Sequence, residues 1–278
     1  MQVVARGTPG FSGADLANVV NIAAIKASND SKRAVGMADL EFAKDRIMMG
    51  AERKSAVVTE ESRRLTAYHE GGHALVACFT PGALPVHKAT VVPRGQSLGM
   101  VMQLPDADET SWSRKQMLAK MDVAMAGRVA EELIYGVDNV TSGASSDFEL
   151  ATNIATSMVE RWGMSDKVGF VSHKNLTGRG GDAAVSQATR AAIDAEVKRL
   201  TSQAYTNAKT LLTRHEDKLH LLAAELINHE TLTGDQVRDI LGLPPLQKKM
   251  PESPATPPAP GSPSSAPARE KKKSWFGA

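Results

Sequence analysis

Apolar positions along this chain recur mostly three and four residues apart, between short polar breaks, so the pattern predicts a mainly α-helical protein. Leu16, Val19, Val20, Ala23 and Ala27 form the first stripe. It is entered through a Pro9-Gly10 turn and a capping box of Ser12 with Asp15. A second helix is expected over 37–49, carrying Leu40, Ala43 and Ile47. After a linker of mixed polarity over 51–59, a long helix over 60–79 aligns Leu65, Tyr68, Gly72, Leu75 and Phe79, then stops before Pro81-Gly82. Residues 88–92 and 99–104 read as two strands of a small hairpin, joined through the loop 93–97. Everything after it reads as helix: 113–135, 147–162, 185–215, 218–228 and 233–241, the last opened by a capping box of Thr233 with Gln236.

Two of these later helices carry clear stripes. Phe148, Ala151, Ala155, Met158 and Trp162 form one. Ile193, Val197, Leu200, Ala204 and Ala208 form the other, expected as intrachain core, with subunit contact as the competing use. From Met250 onward the chain is Pro, Ser and Ala with little to bury, which predicts disorder. The closing REKKKSWFGA is expected to be a solvated tail rather than a docking tag. No internal repeat is present.

The stretch TAYHEGGHALVA, residues 66–77, changes the picture from scaffold to chemistry. At i,i+4 on a helix, His69 and His73 lie one above the other and can offer two imidazole nitrogens to one metal ion. Glu70 sits next to them round the helix, placed to take a proton from an activated water and pass it to a leaving amine. Each helical glycine costs about 1 kcal/mol relative to alanine, so Gly71 and Gly72 imply close approach by another segment or by a substrate backbone. Catalytic zinc takes three protein ligands and leaves one position open. Spacing alone leaves the third ligand open among Asp122, Glu131, Glu132, Asp147 and Glu149. His87 is near in sequence but begins a strand, and Cys78 points elsewhere on the helix. Asp147, at the start of an amphipathic helix, reads locally as a bland partner of the helix dipole.

Composition removes several other classes. Lys and Arg total 33 against 31 Asp and Glu, a net of +2, and aromatics are 4% of the 278 residues. That balance offers neither the basic surface nor the stacking platforms of a nucleic-acid binder. The single cysteine, Cys78, excludes an internal disulfide and reads as a small buried hydrophobe. The longest apolar runs, such as 74–79, fall far short of the roughly 20 residues of a membrane span. The opening MQVVARGTPGFSGADL looks like mid-domain sequence, so a fragment is expected.

The order of TAYHEGGHALVA, HKATVVPRG, LGMVMQLP, MDVAMAGRVAEELIYG and TSGASSDFELATNIATSMVERWGMSDKVG resembles the FtsH family of membrane-anchored, ATP-dependent zinc metalloproteases of the AAA+ class. The resemblance runs from about Gly7 to Leu241, and GASSD with DLEFAKDRIMMG is most similar to the organellar i-AAA branch. It implies zinc held by His69, His73 and Asp147, with Glu70 as catalytic base. Glu131 and Glu132 then become structural or supporting, with Glu131 the preferred alternative ligand. It further implies a helical zinc peptidase domain with a small β-hairpin, preceded by the end of an AAA+ lid. Gly13 and Ala14 of GFSGADL match the stretch that borders the nucleotide in the intact parent.

The expected division is a lid piece at 1–50, a linker at 51–59, the peptidase at 60–245 and a disordered tail at 246–278. No Walker A motif occurs, and TGRGGD (177–182) reads as a plain loop, so ATP and Mg²⁺ are expected only in an intact parent. The resemblance implies unfolded protein substrates, a homo-hexamer, and a mitochondrial or plastid membrane reached only through a missing front part. A competing reading from a different class is a helical hexamer-assembly module whose metal is structural or absent. A pure ATPase regulator lacks the phosphate loop it would need.

Overall fold

The computed structural model describes residues 4–5, 7–8, 10–53, 58–95, 97–105, 111–173 and 185–246. The tail from 247, the TGRGGD stretch and Pro9 lie outside the described residues. Helices α1 (Gly13–Asn29) and α2 (Met37–Met49) come first, followed by the long α3 (Glu60–Phe79). Strands β1 (Val86–Thr90) and β2 (Met100–Gln103) precede α4 (Arg114–Tyr135) and α5 (Ser145–Glu160). Then come α6 (Gln187–Arg214), α7 (Glu216–His229), β3 (Thr231–Thr233) and α8 (Gly234–Ile240).

The starts of these helices follow from local chemistry. The side chains of Ser12, Thr59, Ser113, Ser186 and Thr233 each accept from a backbone N–H of the first turn, satisfying donors the helix itself cannot. The expected capping boxes of Ser12 with Asp15 and of Thr233 with Gln236 both form.

The strand reading needs one correction. Residues 231–233, expected to lead into the last helix, form β3. It pairs antiparallel with β1 and makes a three-stranded sheet of order β2-β1-β3. Glu230 just before it sits at φ 60°, which turns the chain out of α7 and into the strand. Gly234 then follows so closely on the sheet that a Cβ would lie 1.9 Å from the Val86 carbonyl oxygen.

Helix α3 is the centre of the larger core. It packs on α4 and α7, while α4 also packs on α5 and α6. Every residue of α3 from Thr66 to Ala77 is buried, so the single expected stripe understates its burial. The α6 stripe is intrachain core as expected: Ile193, Leu200, Ala204 and Ala208 are buried within the main cluster, and Val197 packs against it. The α5 stripe is displaced. Ala151, Ile154, Ala155 and Met158 are buried, whereas Phe148 and Trp162 are exposed. The buried face runs on from Asp147, about 100° round the helix from Phe148.

Cys78 is half-buried, and burial pushes its thiol up to about 11, against a smaller opposing pull from Arg238. Among the described residues no helix is long and apolar enough to cross a membrane. Helices α1 and α2 build a separate small core from Val19, Ala23 and Ala43. Residues 50–53 cross to the sheet side by hydrogen bonds from Arg53 N to the Pro93 oxygen and from Gly95 N to the Ala51 oxygen.

Candidate metal centre

Three elements meet at the HEGGH segment: α3 supplies His69, Glu70 and His73, α4 packs across them, and α5 brings Asp147 in its first turn. The two imidazoles are set by their outer nitrogens. His69 Nδ1 donates to Glu131 Oε1 at 2.8 Å, and His73 Nδ1 donates to the Val123 carbonyl oxygen at 2.7 Å. Each Nε2 therefore points inward toward Asp147, where its lone pair becomes available to a metal that displaces its proton.

The inward atoms converge. His69 Nε2 lies 3.1 Å from His73 Nε2, and Asp147 Oδ2 lies 3.3 and 3.5 Å from the two. Zinc bonds of about 2.0–2.1 Å in a tetrahedron put ligand atoms about 3.3–3.4 Å apart, so the three donors fit the edges of a zinc site. All three ligand atoms lie within 4.8 Å of one another.

Room for an ion comes from Gly127, a glycine whose role its sequence position does not reveal by itself. A Cβ on Gly127 of α4 would lie 2.4 Å from His69 Nε2 and 2.5 Å from His73 Nε2. The clue was available, since a glycine inside MDVAMAGRVAEEL carries the same helical cost as those of HEGGH. Of that pair, Gly72 is required by packing. Its Cβ would lie 2.7 Å from Ala130 Cβ and 2.8 Å from the Ala126 oxygen. Gly71 is not, because its nearest neighbour would be Leu219 Cδ1 at 3.4 Å, an ordinary contact.

Glu131, the preferred alternative ligand, is placed on the outer side of His69 rather than among the inward donors. It is fully buried, and its Oε2 accepts from Thr141 N at 2.7 Å. It therefore ties α3 to the turn (Ser142–Ala144) that leads into α5 and Asp147. The other carboxylates lie elsewhere. Glu132 accepts from Tyr205 Oη at 2.5 Å and Lys209 Nζ at 3.0 Å. Asp122 accepts from Asn207, and Glu149 is exposed. His87 lies beside Lys44 at 2.9 Å, and Gly13 and Ala14 are exposed at the start of α1.

The electrostatics suit a cation. Burial opposes a charged His69, but the carboxylates of Asp147 and Glu131 outweigh it and lift its pKa to about 10. Burial also opposes ionised Asp147, yet hydrogen bonds from both histidines hold it well below the usual carboxylate range. Glu70 is raised, chiefly by burial, with His73 and His69 pulling the other way. Among the described residues its carboxylate accepts no hydrogen bond. The backbone of Gly99, just before β2, passes so close that a Cβ there would lie 2.7 Å from Glu70 Oε1. His69, Glu70, His73 and Asp147 line one cavity of about 780 Å³, walled also by β2 and α4.

Comparison with known proteins places this geometry. Residues 56–240 match the model of peptidase family M41, and residues 1–42 match that of an AAA+ lid domain. The chain is 53% identical over 244 residues to the ATP-dependent zinc metalloprotease FtsH of Rickettsia prowazekii, covering 86% of this chain and 38% of that protein. It is 54% identical over 241 residues to the ATP-dependent zinc metalloprotease FTSH 11, chloroplastic/mitochondrial, of Arabidopsis thaliana, covering 87% of this chain and 29% of that protein. The YME1 homolog of Schizosaccharomyces pombe is 49% identical over 241 residues, covering 87% and 33%. The chain thus spans well under half the length of these relatives, and its own matched segment is an AAA+ lid followed by a peptidase. On a match to two thirds of its length, the chain belongs to peptidase family M41.

Proposed function

We propose that the chain is a zinc-dependent endopeptidase, with His69, His73 and Asp147 as metal ligands and Glu70 as the general base. The observation that carries this is the meeting of three donor atoms at 3.1, 3.3 and 3.5 Å beside a buried carboxylate that has no protein hydrogen bond among the described residues. Zinc, when bound, supplies Lewis acidity to a water and to a peptide carbonyl. Glu70, with its pKa raised by burial, takes the proton from the attacking water and returns it to the leaving amine. Glu131 holds His69 in the required tautomer.

The substrate in this reading is an extended segment of an unfolded protein. Strand β2 is an outer strand of the sheet, and Met100, Val101 and Gln103 line the same cavity as Glu70. An extended peptide added along that edge gains backbone hydrogen bonds with little dependence on sequence. By analogy with its relatives, the chain acts as the proteolytic part of an ATP-dependent protease in an organellar membrane. ATP and Mg²⁺, with Gly13 and Ala14 bordering the nucleotide, belong to an intact parent, as do the homo-hexamer and the membrane anchor. The reading as a bare assembly module loses its main support, because the α6 stripe it relied on is spent inside the chain's own core.

The test is cleavage of an unfolded model protein by zinc-loaded chain. Glu70→Gln is expected to lower the rate by about 10²–10⁴-fold while zinc content stays at the wild-type level. Full activity in that variant would contradict the mechanism.

A further inference from the structure

The cavity that holds the metal centre does not end there. On α4, Lys120, Val123, Ala124 and Gly127 follow at helical spacing and so share one face. Gly127 faces the two Nε2 atoms, while Lys120, Val123 and Ala124 line the same cavity. Lys120 stands two turns from Gly127, about 10 Å along the helix axis, and its side chain tilts further toward the helix start. There its ammonium lies 4.7 Å from the centre of the Trp112 ring.

Lys120 is the one lysine or arginine among the described residues lining this cavity, and among them it makes no ion pair. Burial lowers its pKa, and among the described residues no anion offsets that effect. Among the described residues, this half-desolvated cation is held by the aromatic face of Trp112 alone, which leaves part of its desolvation cost unanswered. An incoming carboxylate recovers that cost, and the apolar floor of Val123 and Ala124 leaves the ammonium as the chief source of charge selection at that end. Among the described residues, the other titratable groups on the cavity wall cluster at the metal site: His69, Glu70, His73, Glu131 and Asp147.

We propose that Lys120 is a specificity residue that selects an acidic side chain on the bound peptide, about three to four residues from the scissile bond at ~3.4 Å per residue of extended chain. The assignment rests on the peptidase reading above. A charge-assisted contact of this kind is expected to favour Glu over Gln by about 10-fold or more.

The experiment uses matched peptides carrying Glu, Gln or Lys in turn at each of the four positions on either side of the cleaved bond. Binding is read by fluorescence anisotropy on zinc-loaded Glu70→Gln chain, and cleavage by wild type. The expected result is a Glu preference at one position, which shrinks as salt rises from about 0.05 to 0.5 M. Lys120→Met in either background should level Glu with Gln, Lys120→Glu should turn the preference toward Lys, and Lys120→Arg should keep it. A preference that persists in Lys120→Met, or none at any position, overturns the assignment. Cleavage without charge preference overturns Lys120 and leaves the peptidase reading standing. Charge-selective binding by a chain that cuts nothing supports Lys120 and overturns the peptidase reading.

Discussion

Among the described residues, two of the clusters of buried charge are built on opposite plans. At the metal centre, the outer nitrogens of His69 and His73 have short, fixed partners, so the inward donors converge on one point. At the seam between α2 and β1, the charges are packed without being fully answered. Lys44 Nζ donates to His87 Nε2 at 2.9 Å and is 3.8 Å from Asp45 Oδ1, which accepts no hydrogen bond among the described residues. Asp45 Oδ2 is taken by Lys88. Burial lowers the pKa of Lys44, and burial together with Lys44 and Lys88 lowers that of His87. The contrast teaches how to separate a site from a joint. Where partners pre-orient donors toward a shared point, a ligand is being held open for; where charges merely abut, two elements are being pinned.

That comparison is easiest to break at Gly127. With a Cβ 2.4 Å from His69 Nε2, Gly127→Ala is expected to weaken zinc binding beyond the roughly 10–100-fold cost of losing an outer partner. A metal titration that finds wild-type affinity would show that the centre has room for the added methyl. A smaller effect separates the two glycines of HEGGH. Gly72→Ala forces a methyl against Ala126 and Ala130 and should cost about 1–3 kcal/mol of stability. Gly71→Ala meets only ordinary contact and should be neutral or stabilising by up to about 1 kcal/mol. Denaturant midpoints for the pair check this, and equal losses would contradict it.

The smallest effect is expected at the seam. His87 has a folded pKa below its ordinary 6.5, so below that pH the unfolded chain takes up a proton that the folded chain resists. Stability on this account falls as pH drops through 6.5. The charges facing His87 are Lys44 and Lys88, which enforce the resistance, and Asp45 and Glu41, which oppose it. Lys44→Met should therefore leave stability near neutrality unchanged or slightly raised and should blunt the loss between pH 7.5 and 5.5. Thermal unfolding at the two pH values reads the difference between variant and wild type; an unchanged acid loss would remove Lys44 from this role.

How much of this was legible beforehand follows from the range of the interactions involved. The helices and their caps are local, and periodicity with Ser or Thr before each run was enough to place them. His69, Glu70 and His73 share one helix turn and were equally readable. Asp147 was not, because a carboxylate opening a helix looks the same whether it serves the dipole or meets two histidines. What brings it to them is the link from His69 through Glu131 to Thr141, which spans 72 residues of sequence and leaves no local trace. Only the resemblance to a family supplied it. Strand β3 was missed for the same reason, since three residues between two helix signals show no alternation and owe their conformation to pairing with β1. Gly127 had a local signal, a glycine inside a helix, but the glycines of HEGGH drew the inference first.

The central claim is that His69, His73 and Asp147 jointly hold one zinc ion. It is tested most directly by zinc stoichiometry of the purified chain by elemental mass spectrometry, after exhaustive chelation and reloading, for wild type and for Asp147→Ala. The account predicts one zinc per wild-type chain and well under half in the variant, with the fold unchanged by circular dichroism. One tightly held zinc in the folded Asp147→Ala chain would contradict it.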